Sequence, residues 1–312
     1  MAFSVRGKTA IVTGAGSGIN LCFVKLLLEN GCNCVLADLG LRPEAQALVD
    51  KYTTSSPRAV FQQTDVTDWL QLERMFDVAE KEFGEIDIVC PGAGIYEPPF
   101  SSFWYPPGSP ESRDSPAGSR YMQLDINLVH PIRTTQLAVS RFANAKTPKS
   151  ILHISSIAGQ NAAMMTPIYV ATKHAINGFV RSLVRLDEIG IRVTAVAPGF
   201  IKTPLWTENP DKMRVIVENK DVWVTPEEVA EVMLALVEQD AVNGAMLSDD
   251  KESGEKIPIA GGTILEVSKS VRAVAAFNDP GPGERAGNHL GDPRAAEEGF
   301  LKLVRSPSWG KL

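Results

Sequence analysis

The run Thr9-Ala10-Ile11-Val12-Thr13 feeds straight into Gly14-Ala15-Gly16-Ser17-Gly18-Ile19-Asn20, and an apolar helical pattern follows from Leu21 to Leu28. A β-rich run, a glycine turn and a helix in that order begin a βαβ unit, which commits the chain to a parallel sheet covered by helices. The rhythm then repeats. Asn30-Gly31 stops the first helix. Cys32 to Ala37 reads as a second strand ending at Asp38, and Ala59 to Gln63 as a third ending near Asp65. Asp68 to Phe83 is an amphipathic helix closed by Gly84, and Ile86 to Cys90 a fourth strand ending in Pro91-Gly92-Ala93-Gly94. Helix returns from about Asp125 to Ala143, strand from Ser150 to Ser155, helix from Tyr169 to Glu188, and strand from Arg192 to Ala197 before Pro198-Gly199. Thr225-Pro226-Glu227-Glu228 reads as a helix start with proline in the first turn, and Thr263 to Val267 as a last strand. The alternation predicts an α/β fold: one doubly wound parallel sheet of about seven strands with helices on both faces.

Residues Glu97 to Arg120 interrupt the pattern with Pro98-Pro99-Phe100 and Phe103-Trp104-Tyr105-Pro106-Pro107, which reads as an inserted loop. From Asp279 onward the chain is rich in Gly, Pro and charge. The expected organisation is one domain over 1–278, with an insertion near 97–120, and a C-terminal extension over 279–312. A net charge of −6 without a basic stripe argues against nucleic acid. No apolar run reaches the roughly 18 residues a membrane helix needs. The first strand starts by Lys8, so no cleaved signal peptide is expected. Cys22, Cys32, Cys34 and Cys90 fall in apolar elements and read as buried thiols of a reducing, cytoplasmic setting. Cys32-Asn33-Cys34 fits strand alternation better than a metal pair, and His130, His153, His174 and His289 lack ligand spacing, so no metal is expected.

Two constellations carry chemistry. Tyr169 and Lys173, in Tyr169-Val170-Ala171-Thr172-Lys173, are four apart and share a helix face. An ammonium beside a phenol favours the phenolate and lowers a pKa that starts near ~10. A tyrosine so tuned can exchange a proton with an alcohol oxygen near neutral pH, and the Ser156 hydroxyl upstream can hold that oxygen. The glycine turn is the second. Its backbone can approach a pyrophosphate, and the helix it opens offers N–H groups to it. Asp38, about twenty residues on, can accept hydrogen bonds from ribose hydroxyls; its charge would repel a 2′-phosphate.

Together with Ala197-Pro198-Gly199-Phe200-Ile201-Lys202-Thr203, these motifs resemble the short-chain dehydrogenase/reductase family, most nearly its 15-hydroxyprostaglandin dehydrogenase-like branch, from about Gly7 to Val267. The resemblance implies a Rossmann-type fold. It implies Tyr169 as general acid/base and Lys173 as the group that lowers the tyrosine's pKa and binds the nicotinamide ribose. Ser156 would orient the substrate oxygen, and Asn127 would shape its helix and hold a relay water. Gly14, Ser17, Gly18 and Ile19 would cradle the pyrophosphate. Asp38 with the adjacent Leu39 would meet the adenosine ribose, Asp65 and Val66 would frame the adenine, Ala93 the region between the riboses, and Ile201 and Thr203 the carboxamide. Met164 and Met165 fall where the family lines its substrate pocket, though core packing is an alternative, and Trp206 falls in a mobile lid over about 203–222. Trp104-Tyr105 either close over the site or pack the insertion. The family pairs the helices of Asp125–Ala143 and Tyr169–Glu188, both with surplus apolar residues, so a homodimer or a tetramer built on it is expected.

Two departures stand out: Asn20 replaces the family's third glycine and is expected either to shift the helix or to make its own hydrogen bond, and Pro91-Gly92 replaces a pair of asparagines and is expected to loosen contacts near the cofactor and the neighbouring strand. The leading expectation is an NAD-dependent oxidoreductase acting on a secondary alcohol or ketone, with aromatic and methionine residues favouring a bulky apolar small molecule. The alternatives are an NADPH-dependent biosynthetic ketoreductase, with Arg42 reaching the phosphate, and a cofactor-binding protein without redox turnover.

Overall fold

β1 (Thr9–Thr13) is buried along its whole length, because it lies at the centre of the sheet and feeds both cores. Its side chains alternate: Ala10 and Val12 enter one hydrophobic core, and Ile11 enters the other. β2 (Asn33–Asp38) does the same, with Cys34 and Leu36 on the first side and Val35 and Ala37 on the second. That alternation accounts for the cysteine spacing. All four cysteines are free, and three are buried.

The computed structural model describes residues 3–203, 223–248, 254–276, 294–307 and 309–310. After β2 come α2 (Pro43–Lys51), β3 (Ala59–Gln63), α3 (Trp69–Phe83) and β4 (Ile88–Cys90), with α1 (Gly18–Glu29) preceding β2. The insertion contributes only a 3-10 turn at Pro116–Gly118 and a local bridge between Ser102 and Tyr105. Then come α4 (Met122–Leu124), a π-helical turn at Asp125–Val129, α5 (His130–Phe142), β5 (Lys149–Ile154), a 3-10 turn at Ile157–Gly159, α6 (Pro167–Ser182) and β6 (Ile191–Pro198). The described chain continues with α7 (Pro226–Glu238), the β7–β8 hairpin (Ala241–Asn243, Lys256–Pro258), β9 (Ile264–Val267), β10 (Val271–Ala273) and α8 (Arg294–Val304).

The main sheet runs β10-β9-β6-β5-β4-β1-β2-β3. Every pairing in it is parallel except β10 on β9. It therefore has eight strands, and Thr263–Val267 is not its last: Ser268–Ser270 turns the chain back as a short antiparallel edge strand. α1 and α7 cover one face through Phe23, Leu27, Val229, Met233 and Leu236. α3, α5 and α6 cover the other through Leu72, Phe76, Leu137, Phe142, Ile176 and Val180. The chain leaves β1 toward β2 and β3 on one side and returns to β4 on the other, so the carboxyl ends of β1 and β4 flank the point where the strand order reverses. Doubly wound sheets bind ligands in the crevice outside such a point.

The long helix expected from Tyr169 ends at Ser182 and continues as a 3-10 stretch, Val184–Ile189. Inside the C-terminal extension, α8 packs back on the body: Leu301, Val304 and Trp309 rest on the second core, and Ser140 Oγ donates to the Trp309 carbonyl at 3.0 Å. Among the described residues no helix is long and apolar enough to cross a membrane, and no His, Cys, Asp and Glu cluster could hold a metal.

Candidate active site

The turns after β1 and β4 and residues of β2, β5, β6 and α6 converge on a cavity of about 750 Å³. Its wall includes Gly14, Ser17, Gly18, Ile19, Asp38, Leu39, Asp65, Val66, Ala93, Met164, Met165, Ile201 and Thr203 together with Ser156, Tyr169 and Lys173. Asn127 stands just behind that wall, 2 % exposed. Trp206 and most of 203–222 lie outside the described residues, as does His289.

The dinucleotide-type turn is built by close backbone approach. Gly14 has φ +69°, and a Cβ there would meet the Ala93 Cα at 2.7 Å. Asp38 closes the turn: its Oδ2 accepts from the Gly16 N–H at 2.8 Å and its Oδ1 from the Leu39 N–H at 2.7 Å. Val66 is buried, whereas Leu39 is exposed. Asp65 folds its own loop, accepting from the Thr67 amide and hydroxyl at 2.9 and 2.8 Å.

The two departures prove to be one arrangement. The Asn20 side-chain amide donates to the Gly92 carbonyl at 3.0 Å and to the Gly14 carbonyl at 3.3 Å. A Cβ on Gly92 would lie 2.5 Å from Asn20 Oδ1 and 2.7 Å from its Cγ. Residue 92 thus gives up its side chain where residue 20 has gained one. Of the two outcomes expected of Asn20 the hydrogen bond is the one formed, and in place of the loosening expected at Pro91-Gly92 it ties the turn after β1 to the turn after β4. Its Oδ1 is buried without a partner.

α6 carries Tyr169 and Lys173, and the Ile157–Gly159 turn sets Ser156 against it. Contact is close because residue 159 is glycine: a Cβ there would meet Asn177 Nδ2 at 2.6 Å and the Lys173 carbonyl at 2.9 Å. Asn177 donates to the Gly159 carbonyl at 2.9 Å and accepts from Ser155 Oγ at 2.6 Å, pinning the segment. Asn127 lies in the π-helical turn and exchanges two hydrogen bonds with Ile95, Nδ2 to the carbonyl at 2.8 Å and Oδ1 from the N–H at 2.9 Å. π-bulges of this kind recur at functional sites.

The electrostatics differ from the expectation for an ammonium-tuned phenol. Burial pushes the Tyr169 hydroxyl up to about 12; a hydrogen bond with Ser156 pulls it down, and Tyr96 raises it further. Burial also pushes the Lys173 ammonium down to about 8. Lys173 Nζ donates to the Ile154 carbonyl at 2.8 Å and stands over the Tyr169 ring, 5.5 Å from its centroid. Burial is therefore the largest influence on both groups.

Two neighbours escaped the sequence reading. Tyr96 meets the Tyr169 ring edge-on, with centroids 4.7 Å apart at 83°. Glu97 is buried and its Oε2 accepts from the Tyr169 backbone N–H at 2.8 Å. The position of Tyr96 just past the carboxyl end of β4 was a usable signal. Nothing local marks Glu97. Met164 and Met165 are exposed rather than core residues, and Trp104 Nε1 donates to the Met164 carbonyl at 2.8 Å, fastening the insertion beside the cavity. His130 and His153 are buried in hydrogen-bonded structural positions, and His174 is exposed.

Comparison with known proteins agrees with this architecture. The short chain dehydrogenase family model matches residues 8–214. Rat 15-hydroxyprostaglandin dehydrogenase [NAD(+)] is 30% identical over 269 residues, covering 80% of this chain and 93% of its own. Cis-4-hydroxycyclohexanecarboxylate dehydrogenase of Sinomonas cyclohexanicum is 33% identical over 251 residues, 78% of this chain and 95% of its own. Among solved structures, a glucose/ribitol-type short-chain dehydrogenase/reductase from Brucella melitensis superposes with a TM-score of 0.60 at 27% identity, covering 76% of this chain and 92% of that one. The fold, the convergence of turn and tyrosine on one cavity, and the family match lead to one assignment: the chain belongs to the short-chain dehydrogenase family of NAD(P)-dependent oxidoreductases acting on hydroxyl groups.

Proposed function

We propose that the protein is an NAD-dependent dehydrogenase of a secondary alcohol that is bulky and apolar, working on a small-molecule substrate in the cytoplasm. The observation that carries the proposal is the single cavity shared by the Gly14–Ile19 turn, Asp38 and the Ser156, Tyr169 and Lys173 side chains. The residues fit a nicotinamide dinucleotide. The N-terminus of α1 reaches the cavity through Ser17, Gly18 and Ile19, and no acidic residue in its first turn opposes an anion there. Asp38 stands at the end of β2 with its carboxylate on the cavity wall. Tyr96, Ile157, Ala158, Met164, Met165 and Phe200 supply apolar and aromatic surface for the substrate. The free cysteines suit a reducing compartment.

The nicotinamide supplies the hydride acceptor; the protein supplies position and proton handling. Ser156 holds the substrate oxygen, and Tyr169 Oη takes the proton from it during oxidation or returns it during reduction. Lys173 is the one ammonium among the described lining residues, so it stabilises the phenolate while gripping ribose hydroxyls. Asn127, through its paired bonds with Ile95, holds the π-helical turn open behind Tyr169 for a relay water. We further propose a homodimer, or a tetramer built on it, formed on the surface that carries exposed Ile132 of α5 and Val184 after α6.

Cofactor choice is tested by titration calorimetry. A 2′-phosphate against Asp38 should cost on the order of 1–3 kcal/mol, roughly 5–150-fold in affinity. NAD should bind tighter than NADP by that margin, and equal or tighter NADP binding would overturn the assignment. A panel of alcohols and ketones, followed at the reduced-nicotinamide absorbance, then identifies the substrate class.

A further inference from the structure

Three consecutive residues after β4 each touch the proton-transfer set. Ile95 exchanges two backbone bonds with Asn127, Tyr96 lays its ring edge-on to Tyr169, and Glu97 accepts from the Tyr169 backbone N–H. Glu97 is 6 % exposed and holds φ +33°, a region that residues other than glycine seldom occupy. Strain of that kind persists where the surroundings demand it, and the surroundings here are specific. Tyr169 is the third residue of α6, so its N–H has no partner within the helix. Thr166, at the N-cap, supplies no side-chain bond to the helix's own N–H groups, and Glu97 Oε2 takes that place from 72 residues away. The other oxygen, Oε1, accepts from the Phe103 N–H at 3.1 Å and from Ser102 Oγ at 3.4 Å. One carboxylate thus joins the first turn of the catalytic helix to the Ser102–Phe103 segment of the insertion.

The insertion is anchored at its other sides too. Trp104 reaches the Met164 carbonyl, Ser101 Oγ accepts from the Gln123 N–H at 2.9 Å, and Asp114 Oδ1 accepts from the Met122 N–H at 2.8 Å. Those last two residues belong to α4, which leads into the turn carrying Asn127.

Resting on the dehydrogenase reading above, we infer that Glu97 is a positioning residue: it couples the Glu97–Arg120 insertion to Tyr169, so that the insertion sets the placement of the proton-transferring phenol.

Glu97→Gln is the informative variant. A carboxylate accepts through both oxygens, whereas a carboxamide has one acceptor, so either the Tyr169 or the Phe103 N–H must face an NH₂ group. Misplacement of a reacting group by ~1 Å can cost about 10²-fold. Glu97→Gln should therefore lower kcat by about 10-fold or more, with NAD affinity within about two-fold of wild type. Trp104→Phe, which frees only the insertion's outer edge, should raise KM and leave kcat within a few-fold. Hydrogen exchange gives a second readout that needs no substrate: Glu97→Gln should speed exchange both at Ser101–Tyr105 and at Ile168–Val170, and Trp104→Phe at the first segment alone. A plain helix cap would lower Tm with kcat unchanged and exchange raised only at Ile168–Val170, and that result overturns the inference. If the wild type turns over no alcohol or ketone, the dehydrogenase reading fails, while the exchange pattern still decides whether the two segments are coupled.

Discussion

At the scale of single residues, the pair Asn20 and Gly92 shows how a site absorbs substitutions that each look damaging. An asparagine at a position where a glycine packs against a strand reads as crowding, and a glycine in place of an asparagine reads as a lost amide. In space the added side chain fills the room left by the missing one, and its amide bonds both turns. Gly92→Ala should therefore destabilise the protein by about 1–3 kcal/mol, as overpacking does, and weaken dinucleotide binding. In an Asn20→Gly background most of that cost should vanish. A double-mutant cycle by denaturant unfolding should return a coupling of roughly 0.5–3 kcal/mol; additive effects would show that the two residues are independent. Sequence alone revealed both departures and assigned Ser156, Tyr169 and Lys173 from their spacing. It missed the complementarity, because positions 72 residues apart carry no local sign of contact. Glu97 was hidden for the same reason, at the edge of a proline-rich stretch that reads only as loop.

At the scale of elements, β1 to β6 and β9 were legible to within two residues, since alternating burial needs short apolar runs bounded by glycine, proline or aspartate. Other features were not, the short β7–β8 hairpin among them. The π-helical turn at Asp125–Val129 depends on where Asn127 finds Ile95 rather than on propensity. β10 is three residues long, and only its Val271 is buried. α2 is polar, with Ala45 its one buried residue, so no apolar stripe announces it. α5 is fastened to the sheet by two buried histidines: His130 Nε2 lies 3.0 Å from Thr13 Oγ1 on β1, and His153 Nε2 on β5 lies 3.1 Å from Thr135 Oγ1. Burial pushes His130 down to about 4, with the Ile126 carbonyl opposing and Lys173 assisting. Burial, His130 and Lys173 push His153 down to about 3. Both depressed values lie below the ordinary 6.5, so the unfolded chain takes up these protons first as pH falls. Stability should be unaffected by them above pH 6.5 and should decline below it, by up to about 1.4 kcal/mol per pH unit for each histidine until the folded pKa is reached. Unfolding midpoints at pH 7 and pH 5 should show the loss, and a His130→Asn, His153→Gln variant should show less of it. Equal losses in the two proteins would assign the acid sensitivity elsewhere.

At the scale of the whole molecule, a doubly wound sheet places the turn after β1 and the turn after β4 on either side of one crevice, and α6 closes it. That topology was readable from the alternation of strands and helices. The C-terminal helix was not, because the Gly- and Pro-rich stretch before it masks an amphipathic segment. α8 packs on the second core through Leu301 and Val304, and Glu297 accepts from Arg185 at 3.0 Å. Ile132 and Val184 stay exposed, on the surface proposed for a partner subunit. Sedimentation at micromolar concentration should show a dimer or tetramer, and a lone species near the chain mass of 33.8 kDa would contradict the proposed assembly. The central claim is that one cavity joins dinucleotide binding to proton transfer at Tyr169, and Tyr169→Phe tests it most directly, since only the hydroxyl is removed. Measured side by side with wild type, the variant should bind NAD within a few-fold by calorimetry and lose about 10²-fold or more in turnover, the usual scale for general acid/base catalysis. Near-normal turnover in the variant would contradict the account, because the proton would then come from elsewhere.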